Sequence, residues 1–314
     1  MGIAARSTFF KGALVVGCCV FAAACGGGGG QGDTGRLSLS VTDAPVDDAR
    51  SVVVQFRGVA FKREGEAPET VQNLDPTPRQ IDLLQFQEGR AALLLDDVTL
   101  LAGRYEWVRL IVDNEPNVRD SYLTLESGAE CELRVPSGSE SGLKLNRGFT
   151  LPADGSIALT IDFDLRQSIH APPGQSGSGV DCTQGYLMRP TLRLVDDANV
   201  GAIAGRVDAA LVTAGCLPKV YVFDGTGVTP DDIEEVTATT PDVDPLLVAG
   251  VNIVNGATQY AYRLAFVPAG NYTVAFTCGD DDPTNDDTLT FLPAQNVTVQ
   301  TNLISTVDFT APAP

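Results

Sequence analysis

The sequence is almost devoid of histidine, with His170 alone among 314 residues. Histidine is the usual general base and a common metal ligand. His170 stands beside Pro172 and Pro173, so we expect a solvent-facing loop residue. The chain also lacks a Gly-x-Ser-x-Gly elbow, a His-Glu-x-x-His helix motif and a phosphate-binding glycine loop. These absences argue against an enzyme.

Positive charge is also scarce, since 21 Lys and Arg stand against 40 Asp and Glu and the net charge is −19. Removing residues 1–24 removes Arg6 and Lys11 and leaves 19 basic residues against 40 acidic ones, a net charge of −21. A chain this acidic repels phosphate backbones, which excludes nucleic acid as a partner.

Long hydrophobic runs are missing as well. The apolar run Gly12–Ala24 has 13 residues, too few for the roughly 20 of a membrane-spanning helix. It follows a positive segment and ends in Ala22-Ala23-Ala24-Cys25, which resembles a bacterial lipobox. This predicts a signal peptide at 1–24, a lipidated Cys25 that anchors the protein in the bilayer, and a flexible linker at 25–36.

An ordinary signal peptide, with Cys25 incidental, is the alternative. Gly26 stands where an aspartate would retain a lipoprotein at the inner membrane, so we expect the outer membrane of a Gram-negative cell. The membrane face stays open.

Four cysteines remain after Cys25, namely Cys131, Cys182, Cys216 and Cys278. They allow three pairings. The lack of any Cys-x-x-Cys pair argues against a metal site. Export to an oxidising compartment favours disulfide bonds. If a domain boundary lies near Asn199, the pairing that keeps each disulfide within one domain joins Cys131 to Cys182 and Cys216 to Cys278.

The hydrophobic pattern predicts an all-β protein with two β-sandwich domains, at 37–197 and 198–314. Predicted strands in the first region are Leu37–Thr42, Val52–Lys62, Tyr105–Val112, Ile157–Leu165 and Tyr186–Val195. Those in the second region are Gly201–Val207, Lys219–Phe223, Gln259–Phe266, Tyr272–Cys278, Leu289–Leu292 and Leu303–Phe309. Ile81–Phe86 and Pro230–Val236 could each form a short helical turn.

A local repeat links the two regions, because residues 101–105 (LAGRY) resemble residues 268–272 (PAGNY). Convergent turn chemistry and a shared sandwich ancestry both explain it. In either case we expect Tyr105 and Tyr272 to be structural residues at a strand corner.

Several ordered motifs between Leu37 and Asp196 resemble the domain of unknown function 4382 family, whose members are often lipid-anchored. The motifs are residues 39–45, 81–84, 102–105, 135–138, 142–145, 162–168 and 189–193. The family has no established activity, so the resemblance implies a sandwich but no mechanism. The second region, through Gly201-x-Ile203-x-Gly205-x-Val207 and residues 268–274, is similar to prealbumin-like modules of the carboxypeptidase regulatory type.

An acidic run predicts the best site for a ligand. Asp280, Asp281, Asp282, Asn285, Asp286 and Asp287 could supply the oxygen ligands of Ca²⁺, and a solvated hairpin loop is the alternative. Asp162 and Asp164 could form a paired-carboxylate hydrolase site, or serve as rim charges or partners of Arg166 and Arg189. A third cluster, Asp43 with Asp47 and Asp48, reads as a turn.

The sequence therefore favours a non-enzymatic protein that binds an envelope component or an external ligand. A structural spacer for an envelope complex and a carboxylate hydrolase are the alternatives.

Overall fold

β-Strands dominate the structure, a computed structural model that describes residues 32–43, 49–67, 69–74, 78–113, 118–136, 142–172, 182–233, 243–254, 259–279, 281–282 and 288–311. Asp33–Pro314 form one compact unit. Among the described residues, the chain has no helix with the length and apolar character needed to cross a bilayer.

The first region folds into two sheets whose apolar faces meet. Its strands are β1 (Thr34–Asp43), β2 (Ala49–Arg63), β3 (Thr70–Asn73), β4 (Arg79–Asp82), β5 (Ala92–Leu101), β6 (Gly103–Val112), β7 (Tyr122–Leu125), β8 (Glu130–Arg134), β9 (Leu143–Leu145), β10 (Phe149–Leu151), β11 (Ser156–Phe163), β12 (Ile169–His170), β13 (Tyr186–Met188) and β14 (Leu192–Asp196). One sheet has the order β14-β11-β1-β5, and the other runs β10-β6-β2-β7-β8-β13-β12. We call this pair the first sandwich.

The second region repeats this two-sheet plan on a smaller scale. Its strands are β15 (Val200–Val207), β16 (Lys219–Asp224), β17 (Leu247–Gly250), β18 (Asn252–Val254), β19 (Gln259–Pro268), β20 (Gly270–Thr277), β21 (Gln295–Val299) and β22 (Ile304–Thr306). The sheet orders are β18-β19-β15-β22 and β17-β16-β20-β21. We call this pair the second sandwich.

Strand alternation explains where the core lies. In β1, Leu37, Leu39 and Val41 are fully buried, while the intervening serines are partly exposed. Period-two patterning turns one face of a strand inward. The inward residues of both sheets form one continuous hydrophobic cluster in the first sandwich, and a separate cluster fills the second.

The two sandwiches share six strands with the same chain order, partners and relative directions. β1 lies between antiparallel β5 and parallel β11, and β15 lies between antiparallel β19 and parallel β22. In the opposite sheets, β6 joins β2 to β10, and β20 joins β16 to β21. An agreement over six strands exceeds what a convergent turn explains, and it favours a shared sandwich architecture.

The expected tyrosine corners are present at equivalent places. Tyr105 and Tyr272 are buried, and each hydroxyl donates a hydrogen bond of 2.7 Å to the carbonyl oxygen four residues earlier, of Leu101 and of Pro268 respectively. Each ring thus covers the core while its hydroxyl closes the turn between sheets. Both tyrosines are structural, as the repeat predicted.

Two disulfides join Cys131 to Cys182 and Cys216 to Cys278. This is the pairing expected from a boundary near Asn199. Each disulfide lies within one sandwich, and no described strand pairs across the two sandwiches.

Some predicted elements differ from the structure. Tyr186–Val195 is interrupted between β13 and β14, and Leu289–Leu292 contributes only an isolated bridge at Phe291. Residues 230–233 are not helical, and 234–236 lie outside the described residues. The turn predicted at Ile81–Phe86 is the 3₁₀ turn Leu83–Gln85. The single-turn helix α1 (Leu165–Ser168) was missed because it follows β11 without a break in the apolar pattern.

Candidate functional site

Three family motifs converge where β1 and β11 end. The two strands are parallel neighbours, with Thr42 opposite Asp162 and Asp43 opposite Phe163. The carboxyl ends of parallel strands meet at one edge of a sheet. β14 adds Arg193, the register partner of Asp162. Aspartates that are distant in sequence thus lie together at one end of the first sandwich.

Two of these aspartates already have structural contacts. Arg193 forms a salt bridge with the Asp162 carboxylate. Asp164 is the N-cap of α1 and accepts a hydrogen bond of 3.1 Å from the Gln167 amide. Burial raises the pKa of both carboxyls, and Arg193 opposes the rise at Asp162.

Asp43 differs from these two aspartates, because no cation in the described part of the chain acts to lower its pKa. The residue is 5% exposed, and its Oδ2 accepts a long hydrogen bond of 3.4 Å from the Gln87 amide. Within the described residues, no donor meets hydrogen-bond geometry at Oδ1. Burial raises the pKa of Asp43 well above its usual range, Asp162 and Asp164 raise it further, and Gln87 and the Leu165 amide oppose the rise only in part.

A cleft opens between this edge and the second sandwich, and we call it the inter-sandwich cleft. Its larger cavity, of about 220 Å³, is lined by Asp162, Phe163, Asp164, Gln167, Thr191, Leu192, Arg193, Ile233 and residues 244–248. An adjoining cavity of about 30 Å³ is lined by Thr42, Asp43, Glu88, Gly89, Asp162, residues 247–250, Asn252 and residues 263–266. Asp162, Leu247 and Val248 line both cavities.

A buried ion cluster joins the two sandwiches beside the cleft, and we call it the latch. Arg166 of α1 reaches Asp281, with 2.7 Å between Nη2 and Oδ2. Lys219 Nζ lies 3.2 Å from the same oxygen, and the Tyr221 hydroxyl donates to it. The Asp281 side chain is only 1% exposed.

The latch determines how Asp281 titrates. Burial alone would raise the pKa of Asp281, but Arg166, Tyr221 and Lys219 outweigh it and hold that pKa below its ordinary value. The same burial and the neighbouring Asp281 charge raise the pKa of Tyr221. Asp281 therefore stays ionised in the folded protein, at the contact between the sandwiches.

The acidic run predicted to bind Ca²⁺ is only partly described. Asp281 points into the latch and Asp282 is exposed, while Asp280 and residues 283–287 lie outside the described residues. Among the residues that the structure describes, no group of three or more potential ligands is arranged to hold a metal ion. Calcium binding stays a prediction, and Asp281 is engaged elsewhere.

The structure describes only some of the other residues that the sequence singled out. Cys25 lies outside the described part of the chain. His170 is half-buried in β12, not in a loop, and burial followed by Arg189 lowers its pKa. The turn predicted for Asp43 is wrong, since Asp43 ends β1 and is buried; Asp47 and Asp48 are not described.

Asp162 and Asp164, the pair proposed for a carboxylate hydrolase, both line the inter-sandwich cleft. The hydrolase alternative requires such a cleft beside the pair. However, Asp162 forms a salt bridge with Arg193, and Arg166 opposes the rise in the pKa of Asp164. Asp164 caps a helix. Sequence reasoning missed Arg193, Lys219 and Tyr221 as site residues, although Arg193 stands in the last family motif.

The model of the family described as "Domain of unknown function (DUF4382)" matches residues 34–190, half of the chain. The protein belongs to this family. The match ends before β14 and includes two of the three motifs that meet at the cleft. No protein of curated function matches the chain. The likeness of the second region to prealbumin-like modules stays a prediction.

Solved structures give only distant similarity. A leucine-rich repeat protein of Bacteroides thetaiotaomicron is 13% identical, with 89% of this chain and 27% of that chain covered and a TM-score of 0.21. The Bacillus anthracis TIE protein is 9% identical, with 88% of this chain and 33% of that chain covered and a TM-score of 0.19. The minor pilin of Streptococcus agalactiae is 8% identical, with 88% of this chain and 97% of that chain covered and a TM-score of 0.20. The chain spans about a quarter to a third of the first two proteins, and TM-scores this low support no functional transfer.

Proposed function

We propose that the protein is an exported, lipid-anchored, non-enzymatic binding module of the cell envelope, and that the inter-sandwich cleft is its binding site. The observation that carries this proposal is the latch, which fixes two disulfide-bonded sandwiches around the cleft where the family motifs converge. Preorganised clefts of this kind suit binding, because little conformational entropy is lost when a ligand enters.

The side chains at the cleft favour binding over catalysis. Nucleophilic catalysis needs a hydroxyl or thiol within hydrogen-bond reach of a base. The buried hydroxyl of Thr42 lines the cleft, but it donates to the carbonyl oxygen of Phe86 or of Arg90, each 2.8 Å away. The division into domains at 37–197 and 198–314 is part of the proposal, and the separate sheets and cores support it.

Lipid anchoring at Cys25 gives the first test. Labelled palmitate should enter the wild-type protein, and Cys25→Ser should remove the label and release the protein from membranes. Cys18→Ser is the matched control, because Cys18 lies in the segment expected to be cleaved, and it should keep the label. A wild type without label, or a labelled Cys25→Ser variant, would reject the anchor.

Binding is separated from catalysis by following the fate of the bound compound. Full-length protein in detergent is dialysed against a metabolite extract of the envelope, and both compartments are analysed by mass spectrometry. A binding module should concentrate a compound and return it unchanged on denaturation. Depletion of a compound with the appearance of its product would instead support the hydrolase alternative.

A further inference from the structure

The two cavities of the inter-sandwich cleft differ in size and character. The smaller, of about 30 Å³, has room for one or two groups the size of a water molecule. Asp43 and Asp162 line it. The larger, of about 220 Å³, continues past Asp162 along an apolar wall that includes Leu247 and Val248. A compact polar group therefore fits at one end and a short carbon chain fits beside it.

The charge of the smaller cavity identifies the polar group. Asp162 and Asp164 surround Asp43 with like charge, and they are the charged groups that shift its pKa. Glu88 and Arg263 also line the cavity, and Glu88 accepts a hydrogen bond of 3.1 Å from Asn252. Asp162 has Arg193 as its counterion, whereas Asp43 has none and keeps Oδ1 without a donor among the described residues.

A buried acceptor without a donor carries a free-energy cost that a suitable ligand can remove. The missing group has to donate hydrogen bonds, carry positive charge and be small. An ammonium group meets all three requirements, since it is a compact point charge with three donors. A metal ion fits less well, because the described residues offer no set of three or more ligands to one.

We propose that the inter-sandwich cleft binds a small alkylammonium compound, with the ammonium group between Asp43 and Asp162 and the alkyl chain against Leu247 and Val248. This inference rests on the proposed binding function and names its ligand class. The compound is a free amine and not a lipid headgroup, because the carboxylates would repel the phosphate beside an ethanolamine group.

The test uses the full-length protein in detergent, titrated calorimetrically with 1,4-diaminobutane. The neutral 1,4-butanediol has the same carbon chain and should not bind. Asp43→Asn should weaken diamine binding by about tenfold or more, as expected for the loss of a charged hydrogen-bond acceptor. Asp96→Asn makes the same chemical change at an exposed position of β5 and should bind as the wild type does.

The proton on Asp43 gives a second readout. Below the raised pKa of Asp43 the ammonium group displaces a proton, so the measured binding heat should depend on the ionisation enthalpy of the buffer. Asp43→Asn should remove that dependence. The variant should remain folded, because the folded protein already favours the neutral form at this position.

Equal binding of the diol, undiminished binding to Asp43→Asn, or binding of Ca²⁺ in place of the diamine would each overturn the proposal. Binding of glycerophosphoethanolamine as tight as that of the diamine would overturn the assignment to a free amine. Failure of diamine binding in a protein that carries palmitate and retains another compound unchanged would reject only this ligand class. Conversion of a bound compound would instead reject the proposed function.

Discussion

Replacing Asp281 with asparagine should destabilise the protein by about 3–5 kcal/mol, the usual cost of removing one partner from a buried ion pair. The substitution keeps the shape of the side chain but removes the charge that faces Arg166 and Lys219. Their side chains are 8% and 4% exposed, so water cannot replace the carboxylate. Urea denaturation measures the loss. Asp96→Asn is the matched control, because it makes the same chemical change at an exposed position of β5, and it should change stability by less than about 0.5 kcal/mol.

The same variant should uncouple the two sandwiches. Trp107 is the only tryptophan and lies on β6, so its fluorescence reports on the first sandwich, while circular dichroism reports on both. The two signals should coincide during wild-type unfolding and separate in Asp281→Asn. Wild-type midpoints and coincident signals in the variant would show that the latch does not hold the sandwiches together.

The pH dependence of the latch has a defined sign. The pKa of Asp281 is lowered in the folded protein, so the folded state binds its proton less tightly than the unfolded state does. The stabilisation is present above the ordinary pKa of an aspartate and is lost as the pH falls through the lowered value. Asp43 acts in the opposite direction, because its raised pKa reduces stability as the pH rises through the folded value. Asp281→Asn should therefore flatten the acid side of the stability profile.

Local patterns in the sequence predicted the strands and corners because the cause of each is local. The alternation of Leu37, Leu39 and Val41 specifies which face of β1 is buried. The glycine before Tyr105 and before Tyr272 marks the turn that each tyrosine hydroxyl closes. These features depend only on neighbouring residues, and so they can be predicted from the sequence alone.

The site was largely unpredicted because its contacts are distant in sequence. Asp281 lies in an acidic run whose pattern predicts a solvated loop or a calcium site. Its actual partner, Arg166, is 115 residues away in the sequence, so no local pattern indicates their contact. Asp43 reads as a turn residue because Pro45 follows it. Its burial depends on the parallel pairing of β1 with β11, which periodicity does not reveal. Family motifs gave the only signal, since Asp43, Asp162 and Arg193 each belong to one.

Removing the Cys216–Cys278 disulfide by a double alanine substitution should cost about 4 kcal/mol, by the chain-entropy model for its separation of 62 residues. Unfolding under oxidising conditions measures this loss. Added reductant should lower the stability of the wild type and have a smaller effect on the double variant, which keeps only the other disulfide.

The disulfide should also be coupled to the latch, because Cys278 precedes Asp281 by three residues. A disulfide that fixes the end of β20 fixes the segment that delivers Asp281 to Arg166. Once the disulfide is gone, part of the latch is already weakened, so adding Asp281→Asn should cost less than it does in the wild type, by about 0.5–3 kcal/mol. The same double-mutant cycle can be made with the Cys131–Cys182 disulfide, which lies within the first sandwich. There the losses of stability should add to within about 0.5 kcal/mol. Additivity in both cycles would mean that β20 holds Asp281 in place without help from the disulfide.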